Sequence, residues 1–303
     1  MKRRTKALGA ALPLALEGDI AALHRARVAS RRLRELLPVL RAPGAKLGKT
    51  RKRVRRLTRL LGRVREMDVA LQLLDTLGEG VPRLALFEAR QHVRSGREAR
   101  REQMLRKLHT LSLKKLDRRL DELVAIVGDV DPAAWRRRLA ALLTRRAARL
   151  HDAAAEAGAI YVPERLHGVR LAAKKLRYAL EIAAEGGVRE AARLAAIVRR
   201  SQITLGRLQD RHVLVREVHE VAGHATDDAA RHGLLAIAAQ LEQSARELHA
   251  EFLRQRDGLL AAGAAVRQEV VPELTRAARA RRQLRAGLKT RSGRGRQALK
   301  AGA

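Results

Sequence analysis

Two segments of the chain, one in each half, carry histidine, arginine and lysine at the spacing of a single helix face. His24, Arg27, Arg31 and Arg34 recur every three or four residues, so a helix would present them as one cationic stripe. The matching stripe in the second half consists of His167, Arg170, Lys174 and Arg177. Arginine forks and imidazole N–H groups suit phosphate oxygens, and neither stripe holds enough acid to neutralise it. The spacing therefore predicts anion binding, with phosphate groups as the first choice.

More cations and one tyrosine extend the two stripes. Between Lys46 and Arg65 ten cations follow one another without an acid, on about five helical turns. Tyr178 falls near the second stripe, where its hydroxyl would be available as a further donor. The predicted phosphate-binding residues are His24, Arg27, Arg31, Arg32, Arg34, Arg51, Arg55, Arg59, Arg65, His167, Arg170, Lys174, Lys175, Arg177, Tyr178 and Arg207.

The acids beside these cations offer little sign of catalysis. Glu66, Asp68 and Asp210 lie where the basic segments re-enter apolar sequence, and we interpret them as supports for arginine side chains rather than as general bases. His219, Glu220 and His224 do not follow a metal-ligand pattern and are interpreted as helix surface. Phosphate-binding loops, zinc-protease and nucleophile-elbow motifs are absent from the sequence. We therefore expect no catalytic residue, no metal and no cofactor.

Composition points to the class of partner. The 303 residues include 65 Lys and Arg against 32 Asp and Glu, a net charge of +33 that attracts polyanions. Aromatic residues make up only 2%, which disfavours proteins that stack on unpaired bases, and the lack of cysteine excludes thiolate chemistry and disulfides. No apolar run approaches the length of a membrane span, and the first sixteen residues resemble a signal peptide only weakly. We expect a cytoplasmic location.

The segments that must position these residues are helical throughout. Ala, Leu, Arg and Glu recur at helical spacing with scarcely any alternating β pattern, which predicts an all-α fold. The predicted helices are 19–41, 46–77, 82–109, 112–127, 132–157, 164–185, 188–222, 227–262 and 264–286. The stripe at His24 recurs at His167, and Leu61-Gly62-Arg63-Val64 recurs as Leu205-Gly206-Arg207-Leu208. These repeats predict an internal duplication, with half one at 10–158, half two at 159–286 and a flexible basic tail at 287–303.

The repeated motifs resemble those of the CHAD family, the conserved histidine α-helical domain. The family pattern is similar to His24–Arg34 and His167–Tyr178, and its Leu-Gly-x-x-Arg-Asp-x-Asp-Val element is matched by residues 61–69, where Glu66 replaces the aspartate. The resemblance implies two four-helix bundles related by pseudo-twofold symmetry, with basic helix faces lining a shared groove or pore. It also implies binding of inorganic polyphosphate, in some members at polyphosphate granules. Some members are fused to a triphosphate-tunnel catalytic domain, whose Glu-x-Glu-x-Lys signature is absent here.

The sequence therefore favours a non-enzymatic polyphosphate-binding protein. A phosphate polymer has no bases, so a site for it needs many cations and few aromatic residues, as found here. Two alternatives stay open. The first is a protein that binds nucleic acid without sequence preference, because duplex phosphates attract the same cations. The second is a metal-dependent phosphohydrolase, which would need positioned acids and a divalent ion.

Overall fold

The protein is built from α-helices. The computed structural model describes residues 1–40, 47–77, 81–127 and 131–278, and no strand occurs among them. The helices are α1 (Lys2–Glu17), α2 (Ile20–Leu36), α3 (Leu47–Leu74), α4 (Arg83–His109), α5 (Leu113–Ile126), α6 (Pro132–Ala157), α7 (Pro163–Glu185), α8 (Arg189–His224) and α9 (Asp228–Ala265). None of the helices in these ranges is long and apolar enough to cross a membrane. The all-α prediction is confirmed.

The first five helices pack around one apolar core. Leu23 and Leu33 of α2 meet Leu57 and Leu61 of α3 there, and all four are almost completely buried. The short helix α5 closes this core through Leu120. The core places the buried face of α2 against α3, so the cations between the buried positions of α2 point away from it.

Helix α1 is a correction to the sequence prediction, which began the helices at residue 19. The helix starts at Lys2 and buries Leu8, Ala11 and Ala15 against α2. Pro13 lies inside it and obscures its helical pattern in the sequence, because proline normally breaks a helix interior. Burial against α2 outweighs that local preference.

The later helices pack as a second group, α6 to α9. Leu143 of α6, Leu176 of α7, Leu205 of α8 and Phe252 of α9 share the second core. Leu36 at the end of α2, and Val39 and Leu40 just after it, also pack into this core, so this end of α2 is fixed to the other half of the molecule.

A third apolar core joins the two groups. It is formed by the end of α3, the start of α4, the end of α8 and the start of α9, and includes Met67, Val93, Leu214 and Leu234. Helix α2 also contacts α7, α3 contacts α8, and α4 contacts α9. The stripe-bearing helices α2 and α7 are thereby held side by side. The internal duplication itself stays a prediction.

Several predicted helix boundaries are confirmed by capping contacts. Asp19, Asp131 and Asp227 cap α2, α6 and α9 by accepting hydrogen bonds from backbone N–H groups of the first turn. Gly18, with φ of 116°, ends α1 in the left-handed conformation that glycine adopts without strain.

Other boundaries differ from the prediction. Helix α2 ends at Leu36 rather than near residue 41, because Pro38 follows. The predicted break between 262 and 264 is wrong: α9 runs on through a π-helical turn, Val266–Val270, into helical residues 271–278. This wider turn lies directly before Pro272, where the chain lacks a backbone donor. The rest of the last predicted helix and the basic tail lie outside the described residues.

Candidate anion-binding trough

The two predicted stripes face each other across the contact between α2 and α7. The name trough is used below for the surface lined by Arg27, Arg31 and Arg34 of α2 and by Arg170, Lys174 and Arg177 of α7. The guanidinium carbon of Arg31 lies 5.1 Å from the centre of the Tyr178 ring, which belongs to α7. Lys174 lies close enough to all three α2 arginines to feel their charge. The stripes therefore form one site rather than two separate surfaces.

Four cations of the trough have no acidic partner. Within the described ranges, Arg27, Arg31, Arg170 and Lys174 make no ion pair within 4 Å with a carboxylate. The Nε atoms of Arg27 and Arg31 are buried and lack a hydrogen-bond acceptor. Buried donors normally have a partner, so these two nitrogens are available to a bound acceptor.

Burial and the crowding of like charges lower the pKa values of Lys174 and Arg31 in the trough. Burial first, and then repulsion from Arg31, Arg27, Arg170 and Arg34, lowers the pKa of Lys174 to about 6. Burial and the neighbouring arginines also lower the pKa of Arg31 to about 10, against the attraction of Tyr178. A bound polyanion would reverse both effects, because negative charge favours the protonated forms.

Helix α3 supports the α2 side of the trough. Thr58 donates a hydrogen bond to the Ser30 hydroxyl at 3.1 Å, and Arg27 lies over Gly62, where a Cβ atom would meet its Nε at 3.4 Å. This antiparallel register brings Arg34 level with Arg55. The exposed arginines Arg51, Arg55 and Arg59 share the helix face of Gly62. They therefore extend the cationic surface beyond the trough along α3.

Helix α8 fixes the α7 side more tightly. Arg177 donates through Nε to Gln202 Oε1 at 2.6 Å, donates to Glu181 through a terminal nitrogen, and lies over the Tyr178 ring at 4.4 Å. His167 shares a hydrogen bond of 2.5 Å with Gln209. Tyr178 is 3% exposed, and its hydroxyl has no hydrogen-bond partner in the described ranges. Gln202 and Gln209 were missed by sequence reasoning, since neutral amides carry no charge pattern.

The three predicted supporting acids occupy different places. Asp210 is half-buried and lies near Arg170, Arg27 and Arg65. Burial raises the pKa of Asp210, and those arginines partly oppose the rise. Glu66 is exposed, and its charge acts on Arg27.

Asp68 acts outside the trough. It is 2% exposed and accepts a hydrogen bond from Arg97 of α4 at 2.7 Å, while Arg65 lies 3.8 Å away. It therefore ties α3 to α4 rather than supporting a residue of either stripe.

Four other predicted residues lie at or beyond the edge of the trough. Lys175 is exposed about 100° around α7 from Lys174, in a pocket shared with Arg146 and Arg149 of α6. Arg32 borders a groove between α1 and α2 and lies 3.7 Å from Glu181. His24 borders that same groove and also lies near Arg65, Arg27 and Arg31. Arg207 is exposed, and its backbone carbonyl accepts a hydrogen bond from Arg211.

Partial burial and the surrounding arginines lower the pKa of His24. The ring is therefore uncharged at neutral pH in the empty site.

Sequence reasoning also missed the acid that fixes the outer end of the trough. Glu35 is 6% exposed, accepts hydrogen bonds from Arg34 and binds Arg146 of α6. The sequence signal that could have identified Glu35 is its position among apolar residues of α2, because a buried acid needs a cationic partner.

The described ranges contain one group of side chains with metal-ligand geometry, and it lies away from the trough. Donor atoms of His92, Glu217 and Glu220 come within 4.8 Å of one another between α4 and α8. Arg100 already donates a hydrogen bond of 2.9 Å to Glu217, which opposes a second cation there. The predicted surface role of His219 and His224 agrees with their exposure.

Comparison with known families identifies the fold. The family model for the CHAD domain matches residues 1–219, from the start of α1 into α8. The chain belongs to the CHAD family. Comparison with curated proteins finds no match.

Two solved structures share the CHAD architecture of this chain. The crystal structure of the CHAD domain from the plant Ricinus communis is 22% identical, with a TM-score of 0.59 over 86% of this chain and 88% of that one. PptA from Streptomyces chartreusis is 18% identical, with a TM-score of 0.57 over 83% of this chain and 95% of that one. At these identities the similarity shows the fold alone.

Proposed function

We propose that this protein binds inorganic polyphosphate along the trough between α2 and α7. The observation that carries the proposal is the meeting of two cationic stripes in which Arg27, Arg31, Arg170 and Lys174 lack carboxylate partners among the described residues. Unpaired cations at this density stabilise the empty protein poorly, because like charges repel. A ligand with closely spaced negative charges removes that repulsion.

A linear phosphate polymer fits the chemistry of these side chains. Each phosphate unit offers acceptor oxygens to the arginine forks, and the cations of α2 and α7 recur along the helices at one per turn. A charge-assisted hydrogen bond contributes roughly 1.5–3 kcal/mol, so several in series give tight binding that weakens with salt. Membership of the CHAD family supports polyphosphate as the ligand, because the resemblance of this chain's motifs to that family implies polyphosphate binding.

Duplex nucleic acid is the weaker alternative. Helices α2 and α7 are in contact, and Arg31 reaches Tyr178 across the trough at 5.1 Å. A double helix, whose major groove alone is about 12 Å wide, would reach the exposed arginines of α3 but not the half-buried cations between the stripes. The sequence offers few aromatic residues for unpaired bases.

The decisive experiment is calorimetric titration of the full chain with long-chain polyphosphate. We expect the wild type to bind and the double variant Arg31→Ala/Lys174→Ala to lose about 100-fold or more in affinity, at roughly 1.5–3 kcal/mol per lost contact.

The matched control removes two exposed cations elsewhere, in Arg216→Ala/Arg254→Ala, which lowers the net charge of the polyphosphate-bound protein equally. Equal losses in both double variants would contradict the trough as the binding site.

Competition separates polyphosphate from nucleic acid. A bound fluorescent polyphosphate is titrated with duplex DNA and with unlabelled polyphosphate at equal phosphate concentration. We expect the unlabelled polymer to displace the probe at far lower concentration, because only a thin chain reaches the unpaired cations. Displacement by DNA at the same concentration would favour the nucleic-acid function.

We further propose that the protein is a binding protein without catalytic activity and that it is found at polyphosphate granules in the cytoplasm. Asp68, a buried acid beside the basic segment of α3, is engaged by Arg97. We therefore expect no phosphate release from polyphosphate with Mg²⁺ or Mn²⁺. Release that Asp68→Asn abolishes would contradict this. Fluorescence microscopy of a tagged chain tests the location, and a diffuse signal in granule-containing cells would count against it.

A further inference from the structure

The trough contains one lysine among arginines. Helix α2, which carries Arg27, Arg31 and Arg34, packs against α7, where Arg170 lies one turn before Lys174. Lys174 is half-buried and has no carboxylate partner in the described ranges, and the charges of these four arginines act on it. Arginine keeps its charge at any physiological pH, whereas the ammonium group of a lysine can give up its proton when burial and like charge oppose it. Lys174 is therefore the group through which this cluster can relieve its repulsion.

We propose that Lys174 is uncharged in the empty trough and takes up one proton from solvent when a polyanion binds, so that binding and protonation are coupled at this residue. The inference rests on the proposed function and specifies how the same site responds to its ligand. The reaction is a proton transfer from water or buffer to the Nζ lone pair, and no covalent bond to the ligand forms.

The groups around Lys174 on every packed helix support this assignment. The charges that act on Lys174 are those of Arg27, Arg31 and Arg34 on α2 and Arg170 on α7. The other titratable and charged groups named above on α7 and on the helices packed against it are Glu35 on α2, Arg177, Tyr178 and Glu181 on α7, Arg207 and Asp210 on α8, and Arg146 on α6. Glu35 is engaged by Arg34 and Arg146, and Glu181 by Arg177. Asp210 lies near Arg170, Arg27 and Arg65 instead. None of the three acids pairs with Lys174 within the described ranges.

The direction of the effect follows from burial and charge. The pKa of Lys174 is about 6 in the empty site, so at pH 7.5 the amine is mostly neutral. Phosphate oxygens nearby favour the ammonium form and move the pKa back toward its ordinary value of 10.5. Between these two values each binding event takes up close to one proton, and affinity falls by up to about tenfold per pH unit as pH rises. Below pH 6 the amine is charged in both states and this coupling disappears.

Proton uptake is measured by calorimetry of long-chain polyphosphate binding at pH 7.5 in buffers with different ionisation enthalpies, at fixed ionic strength. The slope of binding enthalpy against buffer ionisation enthalpy gives the number of protons taken up. We expect the slope of Lys174→Arg to be lower than that of the wild type by close to one proton, because arginine is charged before the ligand arrives. His24 and Asp210 contribute equally in both proteins and cancel from the difference.

The chain provides a matched control one residue away. Lys175 is exposed outside the trough, so Lys175→Arg should keep the wild-type proton uptake. We also expect Lys174→Arg to bind more tightly than the wild type at pH 8.5 and about equally at pH 5.5. Equal proton uptake by wild type and Lys174→Arg, with both still binding, would overturn the inference and leave the proposed function intact.

A ligand-free measurement tests the same point independently. Nuclear magnetic resonance titration of the lysine side chains, with Lys174→Arg to assign the signal, should show one amine titrating near pH 6. Titration of Lys174 in the ordinary lysine range would overturn the inference whether or not polyphosphate binds. Failure of the wild type to bind polyphosphate would instead reject the proposed function, and the coupling with it.

Discussion

The two sides of the trough carry the same sequence pattern but are held differently. On α7, Arg177 and His167 are fixed by the amides of Gln202 and Gln209 on α8. On α2, Arg27 and Arg31 have buried Nε atoms without acceptors. Two positions of the α7 stripe are therefore preorganised by α8, while Arg170 and Lys174 between them lack a carboxylate partner among the described residues, as Arg27 and Arg31 do on α2. The same motif is thus fixed by amides of α8 at Arg177 and His167, whereas on α2 the matching Arg34 is fixed by the carboxylate of Glu35.

The strongest test of this difference compares inner with outer cations. Arg27→Ala/Arg31→Ala removes two unpaired, partly buried cations, and we expect about 100-fold or more loss of polyphosphate affinity, at roughly 1.5–3 kcal/mol each. Arg51→Ala/Arg55→Ala removes two exposed cations on α3, each worth about 0.2–1 kcal/mol, so we expect a loss of about 30-fold or less. Calorimetry at two salt concentrations checks this. Equal losses would mean that binding depends on net charge alone.

The second test disturbs the preorganised side. Glu181→Gln removes the carboxylate that binds the guanidinium of Arg177, whose side chain is only 11% exposed. We expect the free energy of unfolding to fall by about 1–3 kcal/mol, because the buried cation loses its charged partner. Urea denaturation measures the change. Glu190→Gln, which breaks the surface pair with Arg193, is the control and should denature like the wild type.

The third test concerns Asp210, the acid on the α8 side. Asp210→Asn removes a negative charge near Arg170 and Arg27, and we expect polyphosphate to bind about fivefold more tightly, for a change on the order of 1 kcal/mol. Exposed Asp257→Asn on α9 is the control. Weaker binding by Asp210→Asn would show that the carboxylate positions arginines for the ligand.

Asp210 also predicts a dependence of stability on pH. Because burial raises its pKa above the ordinary 3.8, the folded protein holds the proton more tightly than the unfolded chain. Its contribution to stability is therefore fully present below pH 3.8 and is lost as pH rises through the raised value. Asp210→Asn should remove this dependence, and urea denaturation at several pH values measures it. The same dependence of stability on pH in Asp210→Asn and the wild type would contradict the raised pKa of Asp210.

The smallest expected effects come from the paired glycines of the repeated Leu-Gly motif. In Gly62→Ala the new methyl group meets Arg27 Nε at 3.4 Å, so the guanidinium must shift, and we expect about threefold weaker binding. In Gly206→Ala nothing lies within 4 Å, so we expect unchanged binding and a gain of about 0.5–1 kcal/mol in helix stability. Equal polyphosphate affinity of the two variants would mean that the close approach of Arg27 to Gly62 does not matter for binding.

Helical periodicity determines which side chains share a face, so the sequence could predict which cations lie together in the trough, and their role in binding stays a prediction. Arg27, Arg31, Arg170 and Lys174 were found in this way. Lys175 was included because it repeats Arg32 in the aligned motif, although it lies about 100° from Lys174 around the helix and faces outward. Position in a repeat was therefore a poorer guide than the helical angle.

Other features depend on packing between distant segments and left no local pattern. Helix α1 contains Pro13, and only burial against α2 explains why it is helical from Lys2. The predicted supporting acids meet arginines in different places: Asp210 lies near Arg170 and Arg27 of the trough, whereas Asp68 binds Arg97 of α4. Which cation an acid meets is decided by the tertiary structure, and periodicity within one helix does not contain that information.

The third apolar core has a consequence for how the protein denatures. Met67 and Val93 come from the first group of helices and Leu214 and Leu234 from the second, and all four are fully buried. Neither group can melt alone without exposing the side chains it shares with the other, and each buried leucine or valine is worth about 1.5–3 kcal/mol. The two groups should therefore melt together in a single cooperative transition, and either group expressed alone should be aggregation-prone.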